Sequence, residues 1–331
     1  MRIVFFGSPD FAVPALEALI AHHDVALVVT QPDKPAGRGG KLTSPAIKVV
    51  AERAGLPVLQ PPKVRPPEVA AALAATGAEL GVVVAYGRIL PPGILGAFRR
   101  GCINIHGSLL PAYRGAAPIQ WAVLDGRATT GVSIMQLDEG MDTGPVLTTR
   151  AVAIGDDETA GELFVRLAPL GAAAMLDVIG ELAAGTAIAW PQPTAGASHA
   201  RMLTKADGAV GFDRAAMVVS AHVRGVDPWP GATATLRGQV IKLAGARAVT
   251  TEAAGAAPST ERAVDGAAPG TVLAVDDRGA TIACTDGAVI IRELQVPGRK
   301  RVRALELMRG RGLAVGEVLT RPAAAAPETD A

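Results

Sequence analysis

Residues 2–11 read RIVFFGSPDF, a short apolar run that leads into a Gly-Ser-Pro loop. After Arg2 the run is wholly apolar and of strand length, which is typical of a strand covered on both faces. Helical spacing of apolar residues follows over 14–21, and a second apolar strand over 25–30. This order of strand, loop, helix and strand predicts an α/β fold built on parallel strands.

The same alternation continues to about residue 137. Further helices are predicted over 46–54, 68–76 and 117–124, and further strands over 80–86, 103–105 and 131–137. They predict an open, doubly wound, parallel-rich sheet with its site at the carboxyl ends of the strands. A longer helical stretch follows over 158–184, interrupted at Pro169. The first domain is predicted to span 1–189.

The composition changes near residue 188. Residues 190–199, WPQPTAGASH, are rich in Pro, Gly and small polar residues, so we predict a linker over 190–207. Evenly spaced β-like runs with Gly turns predict a small β-barrel domain over 208–320. Within it, 250–268 has no apolar period and is predicted to be a long mobile loop. A flexible tail is predicted over 321–331.

Composition excludes several classes of protein. Lys plus Arg number 32 and Asp plus Glu 31, so a polyanion must be met by a local patch. Aromatic residues are 3%, too few for nucleic-acid binding built mainly on base stacking. Cys102 and Cys284 fit neither a disulfide framework nor a spaced zinc motif. With no export signal and no apolar window near the ~20 residues of a membrane span, we predict a soluble cytoplasmic protein.

The loop after the first strand lacks both common phosphate-binding patterns. Pro9 and Ala12 stand where G-x-G-x-x-G needs glycines, and G-x-x-x-x-G-K-[ST] is absent there. The architecture is therefore nucleotide-like without a phosphate cradle, which disfavours bound nicotinamide or ATP.

The densest polar cluster is NIHGSLLP, residues 104–111. Asn104 and His106 are two residues apart, so on a strand their side chains face the same way. An amide and an imidazole side by side can both donate hydrogen bonds to one developing oxyanion. The alternative is a strand end at which both side chains only satisfy backbone groups, and these residues alone favour neither interpretation.

An acidic loop with flanking glycines, LDEGMDTG at 137–144, follows the predicted strand 131–137. If both strands are parallel, this loop and the Asn-x-His loop leave the sheet at the same edge. A carboxylate there could orient His106 and keep it charged. The alternative is a solvated acidic turn; the pairing with the Asn-x-His strand favours a functional site.

Two basic segments stand out in this nearly neutral chain, KPAGRGGK at 34–41 and GRKRVR at 298–303. Glycines let the backbone approach a phosphodiester, and the cations neutralise it. Either segment alone is best interpreted as a solvated charge run. Because one lies in each predicted domain, together they indicate a polyanion that contacts both.

The Asn104-x-His106 pair, SLLPxxRG at 108–115 and Asp142 in an Asp-x-Gly-x-Asp loop resemble the formyltetrahydrofolate-dependent formyl transferases. The resemblance covers about 2–319. Four further motifs are similar to those of members that formylate methionyl-tRNA: QPDKPAGRG at 31–39, VAYG at 84–87, RGAAPIQ at 114–120 and PWPG at 228–231. It implies a Rossmann-like catalytic domain, a linker and an OB-like barrel that helps to hold tRNA. The 250–268 insertion and the glycine-rich 205–213 depart from the family's pattern.

The resemblance implies transfer of a formyl group from 10-formyltetrahydrofolate to the α-amine of methionine on initiator tRNA. A monomer suffices for this site, and the reaction needs no metal, for which the cysteine and histidine pattern offers no ligand set; we expect no membrane association. Asn104 and protonated His106 would stabilise the oxyanion, while Asp142 sustains the imidazolium or takes the amine proton. The expected folate-binding residues are Tyr86, Gly87, Leu90, Ser108, Leu109, Leu110, Pro111 and Asp138. The expected tRNA-binding residues are Lys34, Arg38, Lys41, Arg299, Lys300, Arg301 and Arg303.

Two alternatives stay open. A formyltransferase could act on a small amine, such as an amino-sugar nucleotide or a purine precursor, but that acceptor would not need the two basic segments. An RNA-binding module with a vestigial folate domain would have no use for Asn104, His106 and Asp142 together.

Overall fold

The structure is a computed structural model that describes residues 1–36, 40–250 and 266–323. Its chain forms two compact units. The first unit comprises Met1–Pro118, Thr129–Ala153 and Phe164–Arg201. The second comprises Ile119–Ala128, Ile154–Leu163 and the described residues from Met202 onward.

The described residues form β-strands along most of the chain, and the strands are numbered here in chain order. They are β1 (Arg2–Gly7), β2 (Asp24–Val29), β3 (Lys34–Ala36), β4 (Lys41–Thr43), β5 (Val58–Leu59), β6 (Leu80–Val84), β7 (Cys102–His106), β8 (Arg114–Gly115), β9 (Thr129–Gln136), β10 (Val146–Ala153), β11 (His199–Ala200), β12 (Ala232–Leu236), β13 (Gln239–Thr250), β14 (Val272–Asp276), β15 (Gly279–Ala283), β16 (Gly287–Gln295) and β17 (Val302–Arg303).

The α-helices are likewise numbered in chain order. They are α1 (Val13–His22), α2 (Ala46–Arg53), α3 (Pro67–Ala74), α4 (Pro92–Leu95), α5 (Pro118–Leu124), α6 (Ala160–Ala184), α7 (Ala216–Gly225) and α8 (Ala304–Arg309). The predicted interruption at Pro169 is wrong, because α6 runs through it. By length and composition α6 could cross a membrane, but half of its most apolar window is buried inside the protein.

A seven-stranded sheet organises the first unit, in the order β10-β9-β7-β6-β1-β2-β5. Adjacent strands from β7 to β5 pair in parallel. The strand β6 is buried at every residue and β1 at every residue after Arg2, as their apolar runs predict. Phe6 makes edge-on ring contacts with Tyr86 and Phe98, at centroid distances of 5.7 and 6.3 Å. The predicted parallel-rich α/β sheet is confirmed.

The strand predicted at 131–137 runs against the predicted direction. β9 pairs antiparallel with β7, with Ile103 opposite Gln136 and His106 opposite Ser133. An apolar run reports burial on both faces and carries no information about direction, which is why the parallel prediction failed here. The sequence analysis also missed β10, whose mixed burial gives no continuous apolar run.

Antiparallel strands form the sheet of the second unit, in the order β12-β13-β16-β15-β14, with β17 on β16. Thr320 pairs with Thr235 in β12, and Val318 pairs with Thr271 beside β14. The segment 316–320 therefore hydrogen-bonds to both edges of the sheet, as closure into a barrel requires. The OB-like form of that barrel stays a prediction. Most of the predicted loop (251–265) and of the predicted tail (324–331) lies outside the described residues.

Candidate functional site

Asn104 and His106 lie near the carboxyl end of β7, on the same side of the strand. Asn104 is half-buried and lies opposite Val83 in β6 and Met135 in β9. Its side-chain amide makes no hydrogen bond with any residue in the described part of the chain. The amide is therefore a donor that no neighbouring group already occupies.

His106 is buried, with 5% of its surface exposed. Its Nε2 lies 2.9 Å from the carbonyl oxygen of Tyr113, and its Nδ1 lies 3.6 Å from Oδ2 of Asp142. A carbonyl only accepts, so Nε2 carries a proton. Burial lowers the pKa of His106, whereas the charge of Asp142 and the bond to Tyr113 raise it. The two acceptors offset the effect of burial only in part, and the pKa of His106 lies below its usual value.

Asp142 reaches His106 by a route other than the one predicted. Because β9 is antiparallel, the acidic loop leaves the sheet beside Ile103, and residues 137–145 must turn back toward His106. The carboxylate of Asp142 accepts a bond of 2.8 Å from the Gly115 amide. Asp142 itself has a φ of +54°, in the left-handed region. The predicted proximity of Asp142 to His106 holds in the structure, although the parallel-strand argument for it was wrong.

The loop after β7 is held by its own hydrogen bonds. The Ser108 hydroxyl donates to the Ala112 carbonyl at 2.6 Å. The Ser133 hydroxyl donates to the Ser108 carbonyl at 2.7 Å and accepts from the Leu110 amide at 3.0 Å. The hydroxyl of Ser108, a predicted folate-binding residue, is thus engaged within its own loop.

Leu109, Leu110 and Pro111 follow Ser108 in the loop after β7, and the remaining predicted folate-binding residues lie in segment 84–90 and in the acidic loop of the first unit. The side chains of Tyr86 and Leu90 are buried in the core, and burial raises the pKa of the Tyr86 phenol. Gly87 has a φ of +78°. Asp138 accepts bonds from the Gly140 amide and the Thr143 hydroxyl, which form a tight acidic turn. A ligand at 84–90 would therefore meet backbone groups together with the exposed side chain of Ile89 and the half-buried Arg88.

Among the predicted tRNA-binding residues, Lys34 is exposed on β3 and Lys41 belongs to β4, while Arg38 lies outside the described residues. The remaining four are exposed in the second unit: Arg299, Lys300, Arg301 and Arg303. Arg299 and Lys300 line a cavity of about 680 Å³ together with Arg237 and Arg311. Nη1 of Arg301 lies 3.9 Å from Oε2 of Glu293.

Asp33 lies at the base of the hairpin that β3 and β4 form. Its carboxylate accepts bonds from Lys48 at 2.8 Å, Gln60 at 2.7 Å and Ser44 at 3.2 Å. The bonds from Gln60 and then Lys48 hold the pKa of Asp33 below its usual value. The start of the basic segment is therefore tied to α2.

Sequence reasoning missed a contribution from residues predicted to be a linker. The Ser198 hydroxyl accepts a bond from the Tyr113 amide at 2.9 Å, and β11 pairs in parallel with β8. The amide of Gln192 bridges Arg114 to the Asp142 loop. A short segment of Pro, Gly and small polar residues has the same composition whether it is free or bound, so no sequence signal could have found these contacts.

The described residues contain no group of three or more His, Cys, Asp or Glu side chains that could hold a metal ion.

Comparison with known proteins gives matches over most of the chain. The model for the formyl transferase family matches residues 1–179, and the model for the formyl transferase C-terminal domain matches residues 202–312. The methionyl-tRNA formyltransferase of Sorangium cellulosum is 46% identical over 97% of this chain and 100% of its own. That of Desulfotalea psychrophila is 47% identical over 96% of this chain and 95% of its own.

Among solved structures, an N-formyltransferase from Helicobacter canadensis in complex with folinic acid and dTDP-3-aminofucose shares the fold. Its TM-score is 0.63 over 89% of this chain and 99% of its own, at 15% identity.

Proposed function

Since this chain belongs to the formyl transferase family, we infer that it carries out the reaction of a methionyl-tRNA formyltransferase. It transfers the formyl group of 10-formyltetrahydrofolate to the α-amino group of methionyl initiator tRNA, which gives N-formylmethionyl-tRNA for translation initiation. The observation that carries this proposal is 46% identity across 97% of the chain, including the second unit. Family membership alone would leave the amine acceptor open.

We propose Asn104, His106 and Asp142 as the catalytic residues. The neutral amine attacks the formyl carbon and gives a tetrahedral intermediate with its negative charge on oxygen. As the bond from that carbon to the folate nitrogen breaks, the amine loses a proton and the folate nitrogen takes one up, so that tetrahydrofolate leaves. The unoccupied amide of Asn104 supports a role as an oxyanion donor. Because Nδ1 of His106 faces Asp142, Nε2 is the nitrogen left to donate a hydrogen bond to the oxyanion. In this structure that N–H bonds to the carbonyl of Tyr113. One such donor contributes about 3–4 kcal/mol to transition-state stability.

For tRNA, we propose contacts from the β3–β4 hairpin and from 299–303. The exposure of Lys34, Arg299, Lys300 and Arg303 supports this assignment, because phosphates are met by solvent-accessible cations. We propose the domain bounds 1–189 and 208–320 with 190–207 between them. We also propose that the protein acts in the cytoplasm as a monomer without membrane association.

The deciding assay is transfer of a labelled formyl group to three acceptors: initiator methionyl-tRNA, elongator methionyl-tRNA and a dTDP-linked amino sugar. We expect transfer to the initiator tRNA at the highest kcat/KM. Transfer to the amino sugar in preference to both tRNAs would show that the acceptor is a small amine. Binding of tRNA with no formyl transfer to any acceptor would show an RNA-binding protein instead.

A further inference from the structure

Gln192 lies in the segment between the two proposed domains and uses its whole side-chain amide within the first unit. Its Oε1 accepts from Nε and Nη2 of Arg114 at 2.9 and 2.7 Å. Its Nε2 donates to the carbonyl oxygens of Asp142 and Gly144 at 2.9 and 2.7 Å, and it also lies 4.0 Å from the sulfur of Met135. These four bonds use both acceptor positions and both hydrogens of the amide.

The partners of Gln192 also fix its direction. A guanidinium only donates and a carbonyl only accepts, so the oxygen and nitrogen of the amide cannot exchange places. An exchange would direct the NH₂ group at Arg114 and the oxygen at two carbonyl oxygens. Gln192 therefore joins Arg114 to the acidic loop in a single orientation.

The acidic loop needs such a restraint at Asp142. A φ of +54° is uncommon for a residue with a side chain. The carboxylate of Asp142 is held by the Gly115 amide and faces His106. The adjoining carbonyl is held by Gln192. At Gly144 the loop passes so close to β9 that an added Cβ would lie 1.9 Å from the Gln136 oxygen, so only glycine allows this close approach.

We propose that Gln192 is a positioning residue, which holds Asp142 against His106 by tying the carbonyls of Asp142 and Gly144 to Arg114. Arg114 immediately precedes Gly115, so one short segment restrains both the backbone and the carboxylate of Asp142. Gln192 acts through Asp142 rather than on the reacting atoms. The inference deepens the proposed function and rests on it only for the choice of activity assay.

The variants Gln192→Met and Gln192→Glu test this role. Methionine keeps the length of the side chain and removes all four bonds, whereas glutamate keeps an acceptor for Arg114 and loses both donors. Thr194→Ala is the matched control, because Thr194 is exposed in the same segment and its side chain makes no hydrogen bond with any described residue. We expect kcat to fall on the order of 10- to 100-fold in both Gln192 variants, with KM for tRNA within about threefold and Thr194→Ala unchanged.

A substrate-free measurement separates positioning from general loss of structure. Among the described residues, Asp142 is the charged group that faces the His106 ring. A displaced carboxylate should therefore lower the pKa of His106 in Gln192→Met, as followed by NMR titration of ¹⁵N-labelled histidine; Gln192→Glu brings a negative charge of its own and is compared by kcat and KM alone. The same titration as wild type, or a wild-type kcat, in Gln192→Met would overturn the proposal. If wild type fails to formylate methionyl-tRNA while the titration still shifts, the proposed function is wrong and the positioning role stands.

Discussion

At the scale of single residues, the proposed chemistry depends on side chains that differ in how firmly they are held. Asn104 has an amide with no hydrogen-bond partner among the described residues, whereas Asp142 is restrained through its carboxylate and its backbone carbonyl. His106 is held through its ring, because both of its nitrogens already face acceptors. Substitution should therefore affect catalysis at all three positions, but stability differently at each.

Asn104→Ala should lower kcat by about 10²–10³ and leave stability nearly unchanged, because it removes the proposed oxyanion donor, whose amide makes no hydrogen bond with any described residue. Steady-state kinetics and an unfolding midpoint measure the two effects. The companion variant Ser108→Ala removes a hydroxyl bonded to Ala112, and it should mainly cost stability. A wild-type kcat in Asn104→Ala would exclude the amide from the mechanism.

Asp142→Asn should keep the shape of the site and remove its charge. Because that charge raises the pKa of His106 against the effect of burial, its loss should lower the pKa further. If transfer needs the imidazolium, the fall in kcat at high pH then begins at a lower pH in the variant. A kcat–pH profile checks the direction of the shift, and an unmoved profile would show that Asp142 does not control the charge of His106.

At the scale of elements, the sequence predicted which strands are buried. It did not predict the direction of a strand in the sheet or the contacts of the segment between the proposed domains. The runs at β1 and β6 predicted buried strands correctly, because continuous apolar sequence requires cover on both faces. The direction of β9 depends on the path of the chain between β7 and β9, and the spacing of apolar residues within a strand contains no information about that path. Gln192 was missed for a related reason: its partners are backbone carbonyls and a distant arginine, and only the folded chain brings these together.

Helix α7 supplies a pH-dependent contribution to stability through His222. Its Nε2 bonds to the Asp207 carbonyl, and burial lowers its pKa below 6.5. Below pH 6.5 the unfolded chain then binds more protons than the folded one, so stability falls as pH falls toward the folded-state pKa, by up to about 1.4 kcal/mol per pH unit for one histidine. Denaturation midpoints between pH 5.5 and 7.5 should show a weaker slope for His222→Gln.

The control for this prediction is His22→Gln, because His22 is exposed at the end of α1. It should keep the wild-type slope. An equal slope in His222→Gln and wild type would assign the pH dependence to other groups.

At the scale of the whole molecule, the distribution of positive charge decides how the protein can attract tRNA. The formal net charge is +1, so long-range attraction to tRNA is weak and local cations must supply it. Arg299 and Lys300 line one cavity with Arg237 and Arg311. Of these, Arg237 is already paired with Glu317, so Lys300 and Arg299 are better placed to meet phosphate.

Lys300→Ala should raise KM for methionyl-tRNA and reduce the salt dependence of log KM by about one unit per lost phosphate contact, with kcat and KM for folate unchanged. Transfer rates measured across a salt series test this. Arg65→Ala serves as the control, since Arg65 is an exposed cation outside both basic segments. If log KM depends equally on salt concentration in Lys300→Ala and in wild type, Lys300 is not one of the residues that contact tRNA.

The pairing of residues 316–320 with both β12 and the start of β14 has a practical consequence for anyone shortening this protein. A truncation before Gly316 would leave two strands with unpaired amides and carbonyls, and such borders recruit strands from other molecules. The shortened chain would therefore be expected to aggregate during expression even though the proposed chemical residues are untouched. If such a deletion gives insoluble protein, the unpaired strands of the β-sheet explain the loss of activity without any change at the proposed catalytic residues.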